Sequence, residues 1–429
     1  MNRTRWFMLA VLVLGLAERV LWNGLRATTG AEAEAFNVAA AIAEGRGFAD
    51  AYRTGAGPTA HLTPVTPVLA GGVYAALGVK SFLSEAVLAI WSIGLALGTH
   101  LLLYRAFGRI GVPRPLRLFA FAWGCLAPTY INQEAVDFRV WEGGLATFAV
   151  ALFLDRLLRL VEIDERSPRP AIAVAAIGGA IFFINPAMGV GVIACMALFA
   201  FRHLSVGATL AAAGSGAAMI AVLVTPWAIR NADALGAFVP LRSNAGLELA
   251  LSNYPGAEDV SDEHQAYLSR IARIHPSISD EAYRRLRKVG ELEYSNSLGR
   301  EAVDWMRGHP GTAIKKAAGN FREMFVPSDW KFDPSGISRI AWLRTPLAQA
   351  TGVFGLIGML VAMSRFGMAA LYPAIYVLTV AVMISPFQPV VRYIYVISPV
   401  LVSFAACTGL LLARATPSSP PRRPRVKRA

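Results

Sequence analysis

Two arginines pose the first chemical question in this sequence. Arg230 sits in the run Pro226-Trp227-Ala228-Ile229-Arg230-Asn231, and Arg392 precedes Tyr393 and Tyr395 after the loop Pro386-Phe387-Gln388-Pro389. Each stands at the end of a long apolar segment, where Trp227 would anchor a helix at a membrane interface. A guanidinium held at headgroup level is a ready partner for phosphate. Helix capping or contact with lipid headgroups is the competing account. Carboxylates form two groups: Glu32 and Glu34, ahead of Phe36 and the turn Gly45-Arg46-Gly47-Phe48, and then Glu134, Asp137 and Glu142. Ionisable groups beside apolar segments are costly unless paired or used, although any one of them is equally readable as a solvated loop charge. Cys125, Cys195 and Cys407 lie in separate apolar runs and read as packing residues, not as disulfides or metal ligands.

The elements that must position these groups are membrane helices. Of 429 residues, 55% are hydrophobic and only 16% charged, and the mean hydropathy is +0.47. A soluble fold could not hide that much apolar surface. Uncharged runs of spanning length recur, among them Leu204 to Ile229, Gly367 to Val391 and Tyr393 to Ala413. The formal charge of +13 falls mostly in short loops and in the tail Pro420 to Ala429, so topology accounts for it better than nucleic acid does. The first apolar run, after Arg3 and Arg5, is too long for a signal peptide and lacks a clean cleavage site; it reads as a retained helix.

The positive-inside rule then decides one segment. If Thr63 to Leu77 crossed the membrane, Arg105, Arg109, Arg114 and Arg117 would lie opposite Arg3 and Arg5. If it lies along the interface instead, every basic loop agrees, and Pro64 and Pro67 suit such a broken helix. The expectation is an all-α polytopic membrane protein of about ten spans: 6–25, 82–104, 115–131, 142–158, 170–184, 186–201, 206–228, 341–364, 367–385 and 390–413. Both termini would be cytoplasmic. The chain divides into an N-terminal membrane module, 1–228, whose outer loop is 26–79, and a small external helical domain, 229–339, with helical patterning in Glu281 to Met306 and Gly311 to Phe325. Closing membrane helices, 340–413, and a basic tail, 414–429, follow. No internal repeat of fixed period is present, which leaves solenoids and inverted-repeat transporters unsupported.

The order of these features resembles the polytopic GT-C glycosyltransferases, including the protein O-mannosyltransferases and the bacterial aminoarabinose transferase. The stretch Pro226 to Asn253 is similar to the proline, tryptophan, arginine and asparagine signature of the bacterial members. The resemblance places the acceptor-activating base on Glu32, with Glu34 second, and a second acidic site on Glu142, with Asp137 nearby. It assigns the donor phosphate to Arg230 and Arg392, and a metal or phosphate contact to His61. The chain departs from the family in having Glu32-Ala33-Glu34 where Asp is usual, Phe36 where Tyr is usual, and Asn185-Pro186 where Arg-Pro is usual.

The implied partners are a sugar donor linked through phosphate to a polyprenol, a lipid, glycan or protein acceptor, and the bilayer, with no nucleic acid. The implied reaction is a single inverting displacement on the periplasmic side of a bacterial inner membrane. A divalent metal is compatible with the resemblance, and no ligand spacing in the sequence demands one. A transporter or flippase of lipid-linked saccharide, or a catalytically silent scaffold, is the alternative. Alternating access favours coupling groups at mid-membrane depth, whereas the charges here gather at one face.

Overall fold

A computed structural model describes residues 3–24, 34–333 and 340–412. Among them there is no β-strand, and an isolated antiparallel bridge joins Ala49 to Pro58. In chain order the helices are α1 Arg3–Gly24, α2 Glu34–Ala43, α3 Val65–Leu77, α4 Phe82–Ile110, α5 Arg114–Leu126, α6 Ile131–Ala135, α7 Gly143–Glu162, α8 Pro168–Ile184, α9 Pro186–His203 and α10 Val206–Leu235. Then follow α11 Ala245–Ser252, α12 Glu263–Ile274, α13 Asp280–Val289, α14 Glu291–Gly308, α15 Pro310–Glu323, α16 Ala341–Phe366, α17 Met368–Ile384, α18 Val391–Tyr395 and α19 Ser398–Cys407.

Local chemistry sets many of these limits. Ser81 accepts a hydrogen bond from the Ser84 amide at the start of α4, and Gly111, in the left-handed region, ends it. Asn185-Pro186 is a helix start: the Asn185 side chain accepts from the Met188 amide and proline takes the first helical position of α9. Phe36, the second departure from the family pattern, is 1% exposed and belongs to the apolar core.

Four helices, α4, α9, α10 and α16, are long and apolar enough to cross a membrane. They match the expected spans 82–104, 186–201, 206–228 and 341–364. Of the others, α1 with 22 residues and α7 with 20 are as long but carry charges such as Arg19 and Asp155, and the rest are shorter, interrupted or polar. The expected span 115–131 ends at Leu126, and the last expected span is broken between Tyr395 and Ser398. The 13-residue α3 is about 20 Å long, well short of a bilayer core of about 30 Å. It packs on α2. In contrast, the 30-residue α10 is about 45 Å long and continues past the expected boundary at 228, so Arg230 and Asn231 stand on its final turns.

In the bundle, α7 stands between α4 and the group α8, α9 and α17, while α16 pairs with α19 and α10 lies along α8. The last contact is backbone-close: a Cβ at Gly179 would come 2.6 Å from the Gly216 carbonyl oxygen, so small residues at the crossing are a steric requirement. Inside the bundle, Arg19 of α1 is 1% exposed and pairs with the equally buried Glu134 at 2.6 Å, while also donating to the Cys125 carbonyl. Glu134 therefore has a structural partner. All three cysteines are free and buried.

The polar insertion after α10 folds as α11 to α15. Gly290, with φ of 87°, breaks the pattern expected over 281–306 into α13 and α14. Helices α11 and α14 cross at Gly246, where any side chain would collide with the Ser295 carbonyl.

Candidate functional site

The loop between α2 and α3 carries the first functional groups. The Asp50 carboxylate holds it in a compact turn, accepting from the Gly57 amide at 3.0 Å and pairing with Arg46 at 2.9 Å. Asn37 of α2 donates to the Ala51 carbonyl. Arg230 reaches across from the end of α10, donating to the carbonyls of Thr59 and Phe48 and lying over the rings of Phe48 and Trp227. Trp227 is not an exposed interfacial anchor: it is 9% exposed, and its indole donates to the Leu241 carbonyl. From the insertion, Glu291 accepts from the Thr59 hydroxyl, the Ala60 amide and the Ser243 hydroxyl. Burial raises its carboxyl, and those three bonds oppose the rise. Arg230 and Glu291 thus clamp one loop from two sides.

The clamped loop presents Tyr52 and His61. The Tyr52 hydroxyl lies 3.0 Å from His61 Nδ1, and its ring meets both His61 and His275 edge-on. Burial drives the His61 pKa down to about 3, so the ring is neutral at physiological pH. Glu34, at the start of α2, lies 3.2 Å from His275 Nε2. Burial alone would raise its pKa, but the positive field of neighbours including His275 and Arg392 outweighs this and holds the carboxyl low. Glu142 accepts from Arg242 at 3.0 Å, and Arg242 also donates to the His61 carbonyl.

Arg392 joins these groups to a second space. Its charge acts on Glu34, Glu248 and Asp137. It stacks 4.1 Å over the Trp141 ring, and its Nε is buried with no hydrogen-bond partner among the described residues. Arg392 lines a cavity of about 310 Å³ together with Lys331, Arg344, Asp137 and Gln133, and Arg230 is not among the lining residues. Each of the three cations rests on an aromatic face: Lys331 on Trp330 at 4.1 Å, Arg344 on Phe332 at 5.0 Å, and Arg392 on Trp141. Aromatic faces stabilise cations without the carboxylates that would neutralise them. Asp137 is the acidic residue in this lining; burial raises its carboxyl against the pull of Arg392.

Of the residues singled out by sequence, Glu34, His61, Asp137 and Arg392 are brought into one electrostatic neighbourhood. Glu142 joins them through Arg242 and its field at Tyr393. Arg230 is separate, committed to the loop. Glu32 lies outside the described residues. His275, Lys331 and Arg344 are additions, and of these Arg344 carried a signal: a charge inside the expected span 341–364. Among the described residues no three His, Cys, Asp or Glu side chains gather into a set able to hold a metal ion.

No protein-family model matches the sequence, and no curated protein does. Solved structures do match. The chain is similar to the archaeal oligosaccharyltransferase AglB from Archaeoglobus fulgidus in complex with an inhibitory peptide and a dolichol-phosphate, with a TM-score of 0.51 and 13% identity over 95% of this chain and 50% of that one. Against the apo form of the Archaeoglobus fulgidus oligosaccharyltransferase the TM-score is 0.50 at 16% identity, over 94% and 50% of the two chains. Against that enzyme tethered to an acceptor peptide with the NVT sequon it is 0.50 at 14% identity, over 95% and 50%. The chain spans about half the length of these structures and shares their fold.

Proposed function

We propose that this protein is a membrane glycosyltransferase that takes a sugar from a polyprenyl-phosphate donor and passes it to a hydroxyl or amide of a lipid, glycan or protein acceptor. The observation that carries the reading is the cavity in which Lys331, Arg344 and Arg392 converge on aromatic supports beside Asp137, with Arg392 also facing Glu34. Three cations and one carboxylate in the lining suit an anionic ligand. The shared fold supports the choice of a lipid phosphate, because one structure of that fold is bound to a dolichol-phosphate.

In this reading the donor phosphate sits against Arg392. Glu34, or Glu32 beside it in sequence, accepts the proton as the acceptor oxygen or nitrogen attacks the anomeric carbon from the face opposite the phosphate. The anomeric C–O bond breaks and its electron pair stays on the phosphate, inverting the anomeric configuration. His275 orients Glu34 through their 3.2 Å contact. Arg230 acts on the loop, holding His61 and Tyr52 at the site, in place of the phosphate contact that its sequence position suggests.

The membrane arrangement belongs to the same reading. About ten crossings, with the shorter helices tilted little or embedded in the bundle, would put both termini and the loops around Arg105 to Arg117 and Arg365 in the cytoplasm, and the site on the periplasmic side of a bacterial inner membrane. Transfer from radiolabelled polyprenyl-phosphate sugars by the purified protein tests the function. Wild type should transfer and release polyprenyl phosphate, with Glu34→Gln and Arg392→Met strongly impaired. Undiminished transfer by both variants would reject the assignments, and movement of intact donor across vesicles without transfer would favour the flippase reading.

A further inference from the structure

The cavity carries more positive charge than a sugar-bearing donor can use. That donor is a phosphodiester with a single negative charge. The carrier that remains after transfer is a monoester with close to two charges and three terminal oxygens. Against them stand Lys331, Arg344 and Arg392, with Asp137 alone among the acids in the lining and Glu34, Glu248 and Glu323 acting from behind it. These cations have hydrogen-bonding capacity in hand. Lys331 Nζ donates to the Pro389 carbonyl at 2.8 Å, and Arg344 donates to the Thr129 carbonyl at 2.8 Å and to Gln133 Oε1 at 3.0 Å. An ammonium has three N–H donors and a guanidinium five, so the bonds just given engage one on Lys331 and two on Arg344. Arg392 keeps its Nε unpartnered. Lys331 and Arg344 are 4% and 2% exposed, so water screens them poorly.

Building on the transferase reading, we propose that Lys331 and Arg344 make this cavity selective for the phosphate monoester over the diester, so that the carrier left after transfer is held more tightly than the donor. The consequence for the reaction is direct. The second charge appears as the anomeric C–O bond breaks, and it appears between cations already in place, which stabilises the departing phosphate. The same cations then delay its release. Lys331 and Arg344 meet the leaving phosphate, while Arg392, whose charge also acts on Glu34, meets both the diester and the monoester.

The test uses the full-length protein in lipid nanodiscs and three probes: farnesyl phosphate as the monoester, methyl farnesyl phosphate as the diester, and inorganic phosphate. Binding is read by quenching of tryptophan fluorescence, since Trp330 and Trp141 adjoin the cations. Wild type should bind the monoester about tenfold to a hundredfold more tightly than the diester. Lys331→Met and Arg344→Gln should each weaken monoester binding by a far larger factor than diester binding and so erase most of that preference. Arg392→Met should weaken both probes. Equal binding of the two esters by wild type overturns the proposal without recourse to any variant that might misfold, and so does a full preference retained by Lys331→Met. Inorganic phosphate binding as tightly as farnesyl phosphate overturns the assignment to a lipid carrier. A clear monoester preference in a protein that transfers no sugar would refute the transferase reading and leave the anion site standing; transfer without the preference would refute this inference alone.

Discussion

At the residue scale the account rests on carboxylates and cations whose properties are set by what surrounds them. Glu34 is held low because the field of His275 and Arg392 exceeds the penalty of burial. Its folded pKa lies below the ordinary 4.5, so the stabilisation it lends is complete above pH 4.5 and is lost as pH falls through the folded value. The deprotonated form is also the one able to act as base. The acid limb of a transfer rate governed by Glu34 should therefore lie below pH 4.5, as a pH–rate profile in the detergent-solubilised protein can show. Glu34→Gln should lower transfer by roughly 10²–10⁴-fold, and Arg392→Met by roughly 10²-fold or more. Glu34, Asp137, Glu142, His61 and Arg392 are legible in the sequence because ionisable groups beside apolar runs require a reason to be there. The partners are not legible. Phe332 follows Lys331 directly but supports Arg344, and His275 reaches Glu34 across 241 positions, contacts that only the folded chain creates.

At the scale of elements, the insertion after α10 does more than stand beside the membrane helices. It supplies His275, Glu291, Lys331 and Arg242 to a site whose other groups come from α2, its following loop, the segment from α6 to the start of α7, α16 and α18. Glu291 ties α14 to the loop through three accepted bonds, so Glu291→Ala should cost roughly 2–3 kcal/mol locally. Faster amide exchange confined to residues 44–64 would show it. Gly246→Val should separate α11 from α14 and lower the thermal midpoint, at a cost of about 1–3 kcal/mol. Apolar length and caps make most helices readable in advance, down to the short α3. The end of α10 is less so: nothing in the local composition announces that helix continues seven residues past Ala228 to Leu235, because Arg230 and Asn231 gain their partners from distant loops. That continuation turns Arg230 from a free outward cation into a clamp on the loop.

At the scale of the whole molecule, the chain has the fold of enzymes twice its length and builds a polar cavity where α6 and the turn after it, the insertion and the closing helices meet. The division of labour follows from this geometry: apolar helices hold the frame, while Glu34, His61, Asp137 and Arg392 gather in one neighbourhood. Topology offers an independent check. Single cysteines placed at Lys315 in α15 and at Arg365 in α16, in a protein whose native thiols are buried, should be labelled from opposite sides of sealed vesicles. Labelling of both from the same side would undo the orientation on which the outer-face site depends. The central claim, that a lipid phosphate lies among Lys331, Arg344 and Arg392 within reach of Glu34, is met most directly by a density map of the purified protein with polyprenyl phosphate bound. The account predicts phosphorus density in the cavity that Asp137 shares with those three cations. Density beside Arg230, against the Thr59 and Phe48 carbonyls, would contradict it.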